Sequence, residues 1–276
     1  MTSVLDPRIR PGPSSAPSAA RSAWRAAASL AAAALLLGGL SQMVTVLAHE
    51  EHDLVRTFSA DAVASIDVAL ESGSVVVMAA DVTDITVTAH ISDGLRSTGH
   101  SEEIVGDRLV LRGSCPAFLS SFCEVDYQIV VPADVGVTAQ MENGSLSVTG
   151  TTGGVDASSE NGAIDLLGVE GDIDVESANG ALRGQDLSAG TVIAGTDNGA
   201  IDLSFGGAPD AVSAESANGS ITLRLPEVTG AYRVEMDTDN GSTELGVATD
   251  PASARLVRAM SDNGSVRVVG LDAPDR

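Results

Sequence analysis

The chain has 276 residues, enough for one or two domains, and sets 38 acidic residues against 15 basic ones, every one an arginine. Residues 49–276 hold 37 of the acids and 11 of the arginines, a formal charge of −26; such a surface repels phosphate backbones and anionic headgroups, which excludes nucleic acid as a partner. Aromatic residues make up 3% of the chain, too few for a platform on which sugars or bases stack.

Residues 1–25 are rich in Pro, Ser and Ala with arginine as their only cation, and read as a disordered cytoplasmic tail. From Ala26 to Ala48 the chain runs 23 residues without a charge. A helix of that length rises ~1.5 Å per residue and spans the ~30 Å hydrocarbon core of a bilayer. Arginines before it and His49-Glu50-Glu51 after it place the N-terminus inside. The expectation is a single-pass protein of the cell membrane, in the bilayer through residues 26–48, with its C-terminal part extracytoplasmic. The competing reading is a signal peptide cleaved near Ala48, with Val46 and Ala48 at the small-residue positions, and secretion. Both readings export the remainder. Cys115 and Cys123 are the only cysteines and frame a short loop; in an oxidising compartment they pair most simply as a disulfide. Two reduced thiols or a metal site are the alternatives, the latter without a nearby His.

Residues 49–63 read as a juxtamembrane linker, with His49-Glu50-Glu51-His52 a polar collar; its histidines stand one residue too close for the zincin pattern. Residues 64–136 form a leading β segment. Ile66, Val68 and Leu70 alternate with polar residues up to Ser72-Gly73-Ser74, and Val75 and Val77 follow. Ile85, Val87, Ala89 and Ile91 give a further strand. Leu109 and Leu111 lead into the cysteine loop, and Tyr127, Ile129 and Val131 leave it, stopped by Pro132. Residues 92–107 read as an exposed excursion. No helix is expected here.

Over 137–270 the chain repeats Asn-Gly-Ser/Ala at Asn143, Asn161, Asn179, Asn198, Asn218, Asn240 and Asn263, with steps of 18, 18, 19, 20, 22 and 23 residues. A period near 20 marks a repeat architecture. Counted from each Asn, position −6 is Val or Ile, −4 is mostly Ala, −2 is mostly Ser or Thr, and +3 and +5 are mostly Leu, Ile or Val. In a strand these alternate residues share one face. Columns this uniform predict an all-β fold, a β-solenoid of about seven Asn-Gly coils with two strands per coil. Like residues then stack ~4.8 Å apart, the Asn turned inward as a ladder and the Gly supplying positive φ at the corner. Asn-Gly is also a hairpin signal, so a hairpin-rich sheet is the alternative. With Ser72 at position 0, residues 66–77 fit the same columns, which starts the first coil at residue 64. Residues 271–276 are a tail.

Outward positions stack acids. Position −1 holds Glu142, Glu160, Asp197, Asp239 and Asp262, of which Glu160, Asp197, Asp239 and Asp262 are the candidates for calcium; the calcium nonapeptide of β-rolls is absent. A solvated acidic face is the plainer reading. Asp172 and Asp174 could serve a glycosidase, yet acids two apart are expected in a chain this acidic. No nucleophile elbow, phosphate loop or dinucleotide fingerprint occurs, and neither a catalytic residue nor a cofactor is expected.

The order of features is an apolar N-terminal segment, a strand pair around Glu71-Ser72-Gly73-Ser74-Val75, a strand ending Tyr127-Gln128-Ile129-Val130-Val131-Pro132, and then the Asn-Gly array. It resembles the bacterial putative adhesin family, a domain of unknown function with β-strand repeats, over roughly residues 55–270. The resemblance implies a membrane-tethered extracytoplasmic repeat domain and carries over no catalytic residue. The expected function is a noncatalytic surface binding module with an unidentified envelope or surface partner. A structural spacer is the alternative, and a carbohydrate-active enzyme the third reading.

Overall fold

A computed structural model describes residues 49–116 and 123–272, with Ala31 and Leu35 as isolated positions before them. Apart from those two, the transmembrane or signal segment expected at 26–48 lies outside the described residues. No helix among the described residues is long and apolar enough to cross a membrane.

The fold is all-β. The leading segment gives β1 (Glu50–Ser59), β2 (Ser65–Ser72), β3 (Val75–Ala79), β4 (Asp84–Asp93), β5 (Gly99–Val105), β6 (Arg108–Ser114) and β7 (Glu124–Val131). Each Asn-Gly repeat then gives two strands: β8 and β9 (Gly136–Asn143, Leu146–Thr149), β10 and β11 (Val155–Asn161, Ile164–Leu167), β12 and β13 (Ile173–Ser177, Leu182–Leu187), and β14 and β15 (Thr191–Thr196, Ile201–Phe205). The last three repeats give β16 and β17 (Ala211–Ser216, Ile221–Leu225), β18 and β19 (Arg233–Thr238, Thr243–Gly246), and β20 and β21 (Leu256–Ser261, Val266–Gly270).

The first strand of every repeat lies in a 10-stranded sheet and the second in an 11-stranded sheet. Asn-Gly therefore joins two sheets and closes no hairpin. Repeats pair in parallel, and the registers reproduce the sequence columns: Val155 sits opposite Val137 and Ile173, Ala157 opposite Ala139 and Val175, and Ile164 opposite Leu146 and Leu182. The inward residues of both sheets meet in one core. Each buried Val, Leu or Ile contributes roughly 1.5–3 kcal/mol, so the columns, summed over the stack, hold the sheets together. Position +5 of the third repeat is Gly184, which has no side chain to offer. A bulge with Asp186 at φ 54 brings Leu187 into that space instead.

Four expectations are corrected. Residues 49–63 are mostly not a linker, because β1 pairs antiparallel with β4 along its whole length. The excursion at 92–107 contains β5, antiparallel to β6. The asparagines face solvent and not the interior: all seven are exposed, because the chain bends at the corner before Asn can follow the inward parity. None of the glycines that follow them has positive φ. What demands glycine is proximity. A Cβ on Gly162 would lie 1.7 Å from the Gly144 carbonyl oxygen, and one on Gly199 would lie 2.0 Å from that of Gly180.

Stacking order also departs from chain order at both ends. β20 and β21 lie between the strands of 211–225 and those of 233–246. Likewise β2 and β3 lie between 108–131 and 136–149. Skipping a layer spans ~9.6 Å, twice the strand spacing. The link 226–232 supplies that reach and 247–255 leads back by one layer, and these two longer links account for the lengthening of the last two repeats.

Candidate functional surfaces

The Asn-Gly corner is held by two ladders. Outside, each asparagine after Asn143 donates its Nδ2 to the Oδ1 of a neighbouring one: Asn161 to Asn143 at 3.1 Å, Asn179 to Asn161 at 3.0 Å, Asn198 to Asn179 at 3.0 Å and Asn218 to Asn198 at 3.1 Å. It continues in stacking order, Asn263 to Asn218 and Asn240 to Asn263, both at 3.0 Å. Inside, the hydroxyl at −2 donates to the glycine carbonyl of a neighbouring layer, as Ser177 does to Gly162 at 3.0 Å and Ser261 to Gly219 at 2.9 Å. A buried hydroxyl without such an acceptor would be costly, which is why −2 is Ser or Thr beside a glycine column. The corner is a structural clamp.

The Cys115–Cys123 disulfide forms, with Cα atoms 5.7 Å apart. Its place was not legible in the sequence. β6 and β7 make a layer against β2 and β3, with Leu70 opposite Gly113 and Val75 opposite Tyr127. The cysteine loop therefore stands where the other layers carry Ser72-Gly73 or Asn-Gly. Glu71 ties it down, its Oε2 accepting from Cys115 N at 2.7 Å.

Beyond this layer β1 and β5 close the stack, and all four histidines of the chain lie at this end. Glu102 of β5 has a side chain only 1% exposed. The Tyr127 hydroxyl lies 3.1 Å from its Oε1, as does His100 Nδ1. Arg56 Nε of β1 stands 3.3 Å from its Oε2, an ion pair without hydrogen-bond alignment. Burial, followed by the Glu102 charge, pushes the Tyr127 hydroxyl far above its ordinary range, so it is a permanent donor. This network joins the two sheets across the end of the core. Nothing in the residue pattern of 99–105 pointed to Glu102, because one buried acid among exposed ones has no periodic signature. At the surface of the same end His90 pairs with Asp53, whose hydrogen bond and charge raise the imidazole pKa.

The calcium candidates Glu160, Asp197, Asp239 and Asp262 are all exposed along one edge of the 10-stranded sheet. Among the described residues no group of three or more His, Cys, Asp or Glu side chains is placed to hold a metal ion. A groove of about 490 Å³ runs along that edge, lined in part by Glu71, Arg112, Glu142, Ser158, Glu160 and Glu176. A second groove of about 310 Å³ takes in Glu176, Asp197, Glu215 and Asp262 farther along the same sheet. Asp172 and Asp174 lie on a third groove, at the opposite edge of that sheet. Asp172 Oδ1 accepts from Thr191 N at 3.1 Å, which gives it a structural role.

No family model matches the chain, and no curated protein does. Solved structures do. A putative adhesin from Bacteroides fragilis NCTC 9343 is 15% identical with a TM-score of 0.49, covering 79% of this chain and 97% of its own. A putative cell adhesion protein from Clostridium sporogenes ATCC 15579 is 12% identical with a TM-score of 0.41, covering 80% of this chain and 100% of its own. A putative adhesin from Parabacteroides merdae ATCC 43184 is 12% identical with a TM-score of 0.41, covering 79% and 96%. These are likenesses, and they assign no function. Their names coincide with the family that the Val131-Pro132 strand end and the Asn-Gly array resemble.

Proposed function

We propose that residues 49–276 are a β-solenoid exported from the cytoplasm, tethered through residues 26–48, that acts as a noncatalytic, adhesin-like binding module. The observation that carries this reading is the two-ladder scaffold itself. It ties the Asn-Gly layers to one another and leaves the outward columns and their grooves free to vary, as a binding surface on a rigid frame requires. The disulfide supports export, since such bonds persist in oxidising compartments. The names of the similar structures support the adhesin-like role. In the second reading the domain is a spacer, favoured by the stack of seven repeats at ~4.8 Å each, which would hold a distal element ~34 Å from the tether. Retention of envelope components on immobilised residues 49–276 separates the two. A binding module enriches a defined partner in competition with soluble domain, whereas a spacer enriches none. For the tether, the expected result is that the protein stays with membranes through alkaline extraction; release into the soluble fraction would favour cleavage near Ala48.

A further inference from the structure

The two ends of the stack differ. At one end β1 and β5 pair antiparallel with their neighbours, and Arg56 and Glu102 join them. At the other end β18 and β19 are paired on one side only, with β20 and β21. The inward columns surface there. Position −6 is at most 3% exposed in the other six repeats, yet Val234 is only half-buried, as is Met236 at −4. Thr243 is exposed, and Leu245 is 52% exposed where the equivalent Leu203, Leu223 and Val268 are buried. The edge of β18 thus offers unpaired backbone donors and acceptors beside an uncovered apolar layer, which is the substrate of strand addition.

Two further observations define what would fit. A cavity of about 240 Å³ adjoins this layer, lined in part by Pro226, Val228, Tyr232 and Val247. It is large enough to admit an apolar side chain, and Tyr232 is held against it by donating to the Pro226 carbonyl at 2.8 Å. The outward rim of β18 is acidic: Glu235, Asp237 and Asp239 line it, and Arg233 lies 4.0 Å from Glu235. A strand added to β18 alternates its side chains between the apolar layer and this rim.

We propose that the free edge of β18 takes an extended segment of a partner protein whose side chains alternate apolar and basic, one apolar residue entering the cavity beside Val228 and Val247. A second copy of this chain is a poor occupant. It would set the same acids against one another on units of charge −26, over end strands of only six and four residues. The inference rests on the binding-module reading and names the surface that module uses.

The test uses the full chain with two capped peptides, Lys-Val-Lys-Val-Lys-Val and Glu-Val-Glu-Val-Glu-Val, followed by hydrogen exchange. The cationic peptide should slow exchange at least fivefold across 233–238 and leave β1 and β5 unchanged, and the acidic peptide should not. Asp237→Arg, an exposed position whose variant should melt as the parent does, should weaken the cationic peptide at least fivefold. Equal protection by both peptides, or by neither, overturns the proposal. So does protection that rises with protein concentration alone and tracks a dimer in sedimentation, which would give this end to a second copy. If an envelope partner is retained equally by Asp237→Arg and the parent, the module reading stands and this surface is lost. If no partner is retained by either, the module reading itself fails.

Discussion

Asn198 donates to Asn179 and accepts from Asn218, so one side chain ties three layers. Both bonds are exposed, and exposed bonds contribute modestly; Asn198→Leu should cost about 1–2 kcal/mol in a denaturant melt. The adjacent glycine should matter more. Gly199→Ala places a methyl 2.0 Å from the Gly180 carbonyl oxygen, so two layers must separate, and the expected loss is ~3 kcal/mol or more. A larger loss from Asn198→Leu than from Gly199→Ala would show that the outer ladder, and not the close backbone approach, holds the corner. At the capped end the titration of His90 tests the local electrostatics. Its folded pKa is raised by Asp53, so the pair stabilises below the unfolded value of ~6.5 and that contribution is lost as pH rises through the folded value. Asp53→Asn should lower the His90 midpoint in an NMR titration, and an unchanged midpoint would remove the pairing.

At the scale of elements, the strands, their inward faces and the columns were legible because burial imposes period two and stacking imposes like upon like. Val137, Val155, Ile173 and Val192 share one column of the repeat, and the registers keep that column. Three things were not legible. The outward turn of Asn depends on where the backbone bends, which one residue of parity cannot tell. The role of glycine as a close-approach residue depends on a neighbour some 18 residues away. The layer made by β6 and β7 was hidden because its corner is a disulfide loop and not Asn-Gly. That loop closes a short ring, and the chain-entropy relation assigns it about 2.5 kcal/mol. Changing both Cys115 and Cys123 to Ser should lower stability by about that much and speed hydrogen exchange in β5, β6 and β7 before the repeats beyond Asn161. Uniform acceleration along the chain would mean that the capped end is not a separable element.

For the molecule as a whole, charge and order decide behaviour. Glu142 and Glu160 stand on adjacent layers among other exposed acids, with fewer arginines to offset them, among them Arg112 to Asp67 at 2.9 Å, Arg183 to Asp165 at 3.4 Å and Arg267 to Glu244 at 3.0 Å. Stacked like charges repel, and salt screens them over ~30 Å at 0.01 M but ~8 Å at 0.15 M. The melting temperature should therefore rise between those ionic strengths, and a fall would mean that ion pairs outweigh the acidic columns. The interleaved order has its own consequence. The strands β20 and β21 are each paired on both sides, so they should not fray as the terminal layer of a simple repeat array does.

Spin labels at exposed or half-exposed corner positions read that stacking order directly. Ala217, Asp239 and Asp262 all occupy position −1; Asn263 N bonds the Ala217 carbonyl, and Asn240 N that of Asp262. Labels at 217 and 262, and at 262 and 239, should show the strong dipolar broadening of adjacent strands ~4.8 Å apart, while labels at 217 and 239 should show the weaker broadening of two layers. Stronger broadening for 217 with 239 than for 217 with 262 would mean stacking in chain order. No broadening in any pair would contradict the layered fold itself.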